Sequence, residues 1–264
     1  ATLLEAPAPP NDAIRYSTGA VFDVSAKSLY AIETDNDLVL AFRAGDTQWR
    51  GIAGNDEPVR ALALGRAGVI YLGFEQRGAV RAVDLATGRT LFETVLPKGQ
   101  YVGRITPSPD GRHLYVTAMT NRHSLFKLDA VSGALAADEF NRFSGPAHVL
   151  AISPDGRYLA LSGVGAPDGK AAISDARAFI GVELWDANVL APVGGFRTRA
   201  SDWLGAFSPD GSSFALAANS PYEVATIPLD PESWVRAACR KASRTLTADE
   251  HRRFSIPDGK GGCR

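Results

Sequence analysis

The stretch SPDGRYLALSG at residues 153–163 decides the architecture. Nearly the same phrase stands at 108–116, SPDGRHLYV, and at 208–216, SPDGSSFAL. In Ser153-Pro154-Asp155-Gly156 the proline presets φ for the second place of a type I turn. Asp suits the third place, and Gly takes the fourth, where φ can be positive. Short apolar segments flank the turn, HVLAIS before it and YLALSG after it, with the character of buried strands. The phrase is a hairpin corner, written three times.

Aligning on Gly111, Gly156 and Gly211 brings out two worn copies upstream, LGRAGVIYLGF around Gly68 and VSAKSLYAIET from Val24. The interval is about 41 to 45 residues, with one of about 55 between Gly156 and Gly211. Each copy adds a third apolar segment (LVLAFRA, AVRAVDLAT, SLFKLDAVS, IGVELWDA, YEVATIPLD). The first four add a fourth: QWRGIAG, TLFETVLP, ALAADEF and PVGGFRT. Four strands on a period just above 40 residues make a β-propeller blade. The sequence therefore predicts an all-β propeller over 1–230, of about five antiparallel blades starting near 21, 59, 101, 148 and 203. The fifth copy lacks a fourth strand. TLLEAP, within residues 1–10, is placed to supply it and close the ring, removing an exposed sheet edge.

Asp84, Asp129 and Asp186 recur at the end of the third segment, where Asp closes turns on local backbone. They read as turn stabilisers rather than catalytic acids. After the last blade a helical tail is expected over 231–264, packed on the propeller. Asp230 caps it, Pro231 fits its first position, and Glu232 suits the positive end of its dipole. Trp234, Val235, Ala238, Cys239 and Ala242 share its apolar face, opposite Arg236, Arg240 and Lys241. Thr247 and Glu250 then form a capping box.

The SPDG repeats, ELWDA at 183–187 and the ending built on Trp234, Cys239, Arg244, Leu246, Thr247, Glu250 and Cys263 together resemble bacterial WD-repeat proteins. Thr245 and His251 stand where that family usually has Asn and Trp, and the Trp-Asp pair occurs only at Trp185-Asp186. In the family the propeller is often fused to STAND-type NTPase, caspase-like or protein-kinase domains. The resemblance implies a non-enzymatic sensing or scaffolding module of a signalling or defence protein. Its partner would be another protein or the rest of a larger polypeptide. Met119 is the only methionine, so the sequence reads as a trimmed chain or a piece of a longer one.

Composition agrees with a globular domain: 45% hydrophobic and 22% charged residues. A net charge of −1 argues against a general nucleic-acid binder, and no apolar run reaches the roughly 18 residues of a membrane span. Two cysteines, Cys239 and Cys263, make no disulfide framework and read as reduced thiols of a cytoplasmic protein with no cofactor, or as a single local bridge pinning the tail. Catalytic signatures are missing: no G-x-S-x-G, no H-E-x-x-H, no G-x-x-x-x-G-K-[ST] and no paired C-x-x-C. No catalytic, cofactor or metal residue is expected.

Ligands of a propeller meet the ring at one face. Opposite the SPDG turns lie the links between blades and the loops between second and third strands. That face is expected to carry Tyr101, Asn121, Arg122, Arg142, Asp168, Arg197, Arg199, Asp202, Trp203 and Tyr222, with Asn36, Glu75 and Gln76. Exposed aromatic and Arg residues are the types enriched in interfaces. VGAPDGKAAISDARAF, from Val164, departs furthest from the repeat and reads as a tolerated surface insertion or as a recognition loop on the same face. A rival reading comes from GRHLYVTAMTNRHSLFKLDAVSG, which resembles the YVTN-type repeats of surface-layer and lactonase-like propellers. It implies a secreted or periplasmic enzyme or small-molecule binder.

Overall fold

The computed structural model describes residues 20–33, 38–54, 57–66, 68–97, 100–119, 123–143, 147–165, 179–197, 203–219, 222–230 and 232–233. They form nineteen strands in five antiparallel sheets. Blade 1 holds β1 (Ala20–Asp23), β2 (Ser28–Glu33), β3 (Leu38–Arg43) and β4 (Arg50–Gly54). Blade 2 holds β5 (Val59–Leu64), β6 (Val69–Phe74), β7 (Ala79–Asp84) and β8 (Thr90–Val95). Blade 3 holds β9 (Tyr101–Pro107), β10 (His113–Met119), β11 (His123–Asp129) and β12 (Leu135–Phe143). Blade 4 holds β13 (Ala147–Ile152), β14 (Tyr158–Gly165), β15 (Phe179–Asp186) and β16 (Ala191–Arg197). Blade 5 holds β17 (Trp203–Phe207), β18 (Ser213–Asn219) and β19 (Tyr222–Pro228). Each sheet is a meander in chain order, and the first strands β1, β5, β9, β13 and β17 succeed one another around an axis. The chain is a β-propeller.

The SPDG corners are built alike. Gly111, Gly156 and Gly211 have φ of 67°, 73° and 72° and donate their N–H to the carbonyls of Ser108, Ser153 and Ser208. The serine does more than open the turn. Ser153 Oγ donates to Asp155 Oδ1 at 2.6 Å and accepts the Tyr158 N–H at 2.9 Å. Ser108 and Ser208 repeat both bonds with Asp110 and His113, and with Asp210 and Ser213. The third-strand aspartates close the companion turns. Asp84 Oδ1 accepts from Thr87, Asp129 Oδ1 from Val131 and Ser132, and Asp186 Oδ1 from Asn188 and Val189.

The blades have a direction. The forward face of blade 2 (Ala61, Ala63, Tyr71, Val80, Ala82) packs on Val102, Ile105, Leu114, Val116, Phe126 and Leu128 of blade 3. Blade 1 lays Tyr30, Ile32 and Val39 on Ile70, Leu72 and Phe74 of blade 2. Tyr115 and Leu125 of blade 3 meet Val149, Leu159, Leu161 and Trp185. Ala160, Val182 and Leu184 of blade 4 meet Phe214 and Leu216. Each of these buried large side chains contributes about 1.5–3 kcal/mol, so the core is a series of wedges between sheets.

Polar bonds cross the same wedges. Tyr71 Oη donates to the Ala130 carbonyl, and Tyr115 Oη to that of Ala187, each at 3.0 Å. Lys127, 7% exposed, donates its ammonium to Ala187 O at 3.1 Å and Asn188 O at 3.3 Å. The expected strand over 2–7 and most of the expected tail lie outside the described residues. The start of the tail is described: Glu232 and Ser233 are helical, and Asp230 Oδ1 accepts the Ser233 N–H at 2.7 Å.

Candidate functional site: the loop face

The strand directions divide the ring into two faces. The SPDG corners and the Asp84, Asp129 and Asp186 turns share one, the turn face. The blade-to-blade links and the turns between second and third strands share the other, the loop face. The corner aspartates on the turn face serve the turns themselves. The Asp210 carboxyl is lowered to about 2, first by the Ser208 hydroxyl and then by the Ser212 N–H. Asp110 is lowered in the same order by Ser108 and the Arg112 N–H.

On the loop face, blade 2 carries a charged cluster without a counterpart among the described residues of the other blades. Arg77 donates its N–H and its Nε to the Glu57 carboxylate at 2.9 Å and 2.6 Å, and Nη1 to Glu93 at 3.2 Å. Arg81 Nε reaches the other Glu93 oxygen at 2.6 Å, with its guanidinium 4.7 Å above the Phe74 ring. Glu57 is 3% exposed, and Arg77 is the cation it meets. Beside it, Arg60 binds Glu75 through two bonds of 2.8 and 2.9 Å. That pairing holds the Glu75 carboxyl below its ordinary range and the Arg60 guanidinium above it. Arg60 sits where the register of β5 against β6 shifts between Val59 and Ala61, a bulge that re-aims a side chain.

Arg60 also opens onto a channel of about 460 Å³ among the first strands, lined with it by Phe22, Leu62, Arg104, Thr106 and Leu150. Among the described residues no group of three or more His, Cys, Asp and Glu could hold a metal ion.

Of the residues expected on this face, Tyr101 begins β9 and is half-buried, next to Gln100, whose Nε2 donates to Ser124 at 3.0 Å. Glu75 and Gln76 lie in the β6–β7 turn. Arg142, Arg197, Trp203 and Tyr222 stand at the loop-face ends of β12, β16, β17 and β19. Asn36, Asn121, Arg122, Asp168, Arg199 and Asp202 lie outside the described residues. So does the expected recognition loop after Gly165, but its two anchors, the paired residues Gly165 and Phe179, are on this face. Sequence reading passed over Glu57, Arg77, Arg81 and Glu93. The alternation of Arg77, Arg81 and Glu93 across one hairpin was the available signal.

No family model and no curated protein matches the chain. Among solved structures it is similar to a chain of Kuenenia stuttgartiensis hydrazine synthase, with a TM-score of 0.61 and 17% identity over 80% of this chain. The match spans 65% of that chain, just under two-thirds. The solved chains that match number 1513, so the fold is widely used and carries no one activity by itself. What the likeness establishes is the β-propeller fold.

Proposed function

We propose that the chain is a non-enzymatic interaction module that presents its loop face to a partner protein. In the terms of the resemblance above, it would be the regulatory WD-repeat-type propeller of a bacterial signalling or defence polypeptide. The observation that carries this reading is the contrast between the faces. The turn face repeats one self-satisfied network from blade to blade. The loop face bears what does not repeat: the Arg60–Glu75 pair, the Glu57–Arg77–Glu93–Arg81 chain, Tyr101 and the anchors of the longest departure from the repeat. Non-repeating side chains on a rigid ring are where recognition is grafted. Ten of the described carboxylates are committed to structural partners, which favours binding over catalysis. Asp23, Asp84, Asp110, Asp129, Asp155, Asp186 and Asp210 hold turns, and Glu57, Glu75 and Glu93 hold arginines.

Quantitative cross-linking and mass spectrometry in extract of the source cells tests this. Arg60→Ala with Tyr101→Ala should lose a partner that wild type and the turn-face variant Val131→Ser both retain. Equal loss from all three, or none from the loop-face variant, would overturn the assignment.

A further inference from the structure

The wedges between blades repeat one arrangement, and the first of them breaks it. Tyr30 is the third residue of β2, the place that Tyr71 holds in β6 and Tyr115 in β10. Those two bind Ala130 and Ala187, each the residue after a turn-closing aspartate of the next blade. The residue at that place opposite Tyr30 is Leu85, which follows Asp84 and is only half-buried. Tyr30 is 7% exposed, yet its hydroxyl makes no hydrogen bond among the described residues. Tyr30 and Leu85 instead line a pocket of about 440 Å³ at the turn-face end of the wedge, with Ala41 and Ile52 beside them.

The sequence accounts for the opening. In blade 2, Ala82 is paired with Phe92, whose ring lies 6.3 Å from that of Tyr71 and packs into the wedge before blade 3. The same place in blade 1 pairs Ala41 with Arg50, which is exposed and turned to Asp46 at 2.8 Å. The far wall records the difference. A Cβ on Gly133 would stand 2.4 Å from Phe92, whereas one on Gly88, in the matching turn of blade 2, meets nothing within 4 Å. The rim departs from the repeat as well. The last residue of the third strand, opposite the first of the second, is Asp84, Asp129 and Asp186 in blades 2, 3 and 4, but Arg43 in blade 1. The Arg43 guanidinium is exposed at the pocket and has no partner among the described residues.

We propose that this pocket binds a small monocarboxylate with an apolar body, on the face of the ring opposite the partner surface proposed above. The balance of donors and acceptors selects that class. The Tyr30 hydroxyl and the Arg43 guanidinium are unspent donors, and the register sets them on one sheet face, with Tyr30 across from Ala41 and Arg43 two residues on. The carboxylates of the rim are already committed. Asp46 accepts from Arg50 and from the Arg43 N–H, and Asp23 from Ser25 and the Ala26 N–H. An occupant must therefore bring acceptors, and a carboxylate matches the planar fork of an arginine. Tyr30, Ala41, Ile52 and Leu85 supply the apolar walls, and the volume falls among those of small-molecule sites, about 300–1,000 Å³.

Saturation-transfer NMR with phenylacetate, 2-naphthoate and octanoate, each beside its neutral amide, tests the proposal. At least one acid should bind saturably and at least about fivefold tighter than its amide. Arg43→Gln should weaken that binding about tenfold and Tyr30→Phe about threefold. Arg50→Phe, which gives blade 1 the ring that blade 2 carries, should abolish it by filling the pocket. Tyr30→Phe and Arg43→Gln remove no side-chain bond among the described residues, so their melting temperatures should match that of wild type, which separates lost binding from lost folding. Failure of all three acids to bind would overturn the proposal. So would an acid and its amide binding equally, or binding that persists unchanged in Arg43→Gln and Arg50→Phe.

Discussion

Tyr115 donates its hydroxyl to the carbonyl of Ala187, 72 residues further along the chain and one blade further around the ring. Tyr71 does the same to Ala130 across 59 residues. The two tyrosines occupy one place in the repeat, the third residue of the second strand, and each meets the residue that follows a turn-closing aspartate. The wedge between blades is therefore fastened at its outer, turn-face end as well as filled with apolar side chains.

Tyr71→Phe should lower stability by about 1–2 kcal/mol, since it leaves the Ala130 carbonyl buried and short of a donor. Tyr115→Phe should cost less, about 1 kcal/mol, because Lys127 still serves Ala187. Removing both with Tyr115→Phe and Lys127→Met should cost more than the sum of the single changes, as expected of groups sharing one acceptor. Urea unfolding of wild type, the three single variants and the double variant checks this, and strict additivity would show that the shared carbonyl is not the link.

Burial, with the charges of Asp110 and Asp186 behind it, pushes the Tyr115 phenol up to about 12. A raised acid is favoured in its neutral form by the folded chain. Its contribution is therefore intact below about pH 10 and lost as pH climbs from there towards 12. Urea midpoints measured through that window should fall, and the fall should be shallower in Tyr115→Phe.

Asp210 works in the opposite direction. With its carboxyl lowered to about 2 by Ser208 and Ser212, folding favours the carboxylate. The contribution is present above about pH 4 and disappears as pH drops through 2. Asp210→Asn should be less stable than wild type at pH 6 and should converge on it by pH 2, read from midpoints in the same denaturant.

Gly78 and Gly88 share a positive φ, 59° and 69°, but not their surroundings. A Cβ on Gly88 meets nothing within 4 Å, whereas one on Gly78 would stand 1.7 Å from the backbone oxygen of Gln100. Gly88→Ala should cost about 1–2 kcal/mol for the left-handed backbone alone. Gly78→Ala should cost at least about 2 kcal/mol more, because the link from blade 2 to blade 3 must move. Similar melting temperatures for the two variants would contradict that reading.

What the sequence revealed follows from how far each interaction reaches. Gly111, Gly156 and Gly211, with Asp84, Asp129 and Asp186, bond within a few residues of themselves, so short motifs announce both the turns and the blade rhythm. The serine of the SPDG phrase was harder, because its second bond skips to the fifth residue. Tyr71, Tyr115 and Lys127 reach partners on another blade, and nothing local marks them. The tyrosines stand three residues after Gly68 and four after Gly111, so alignment of the copies on their corner glycines sets them one place apart. The loop face was legible only as a set of strand ends. Which carboxylate each arginine there meets depends on side chains brought together from separate strands, as Arg77 with Glu57 shows.

The tyrosine fasteners all point towards residues made later. Blade 2 finds its acceptor only when Ala130 has been synthesised, and blade 3 only at Ala187. As the chain leaves the ribosome, blade 2 therefore stays unlatched until blade 3 is made, and blade 3 until blade 4, so each of these newcomers completes its predecessor before itself.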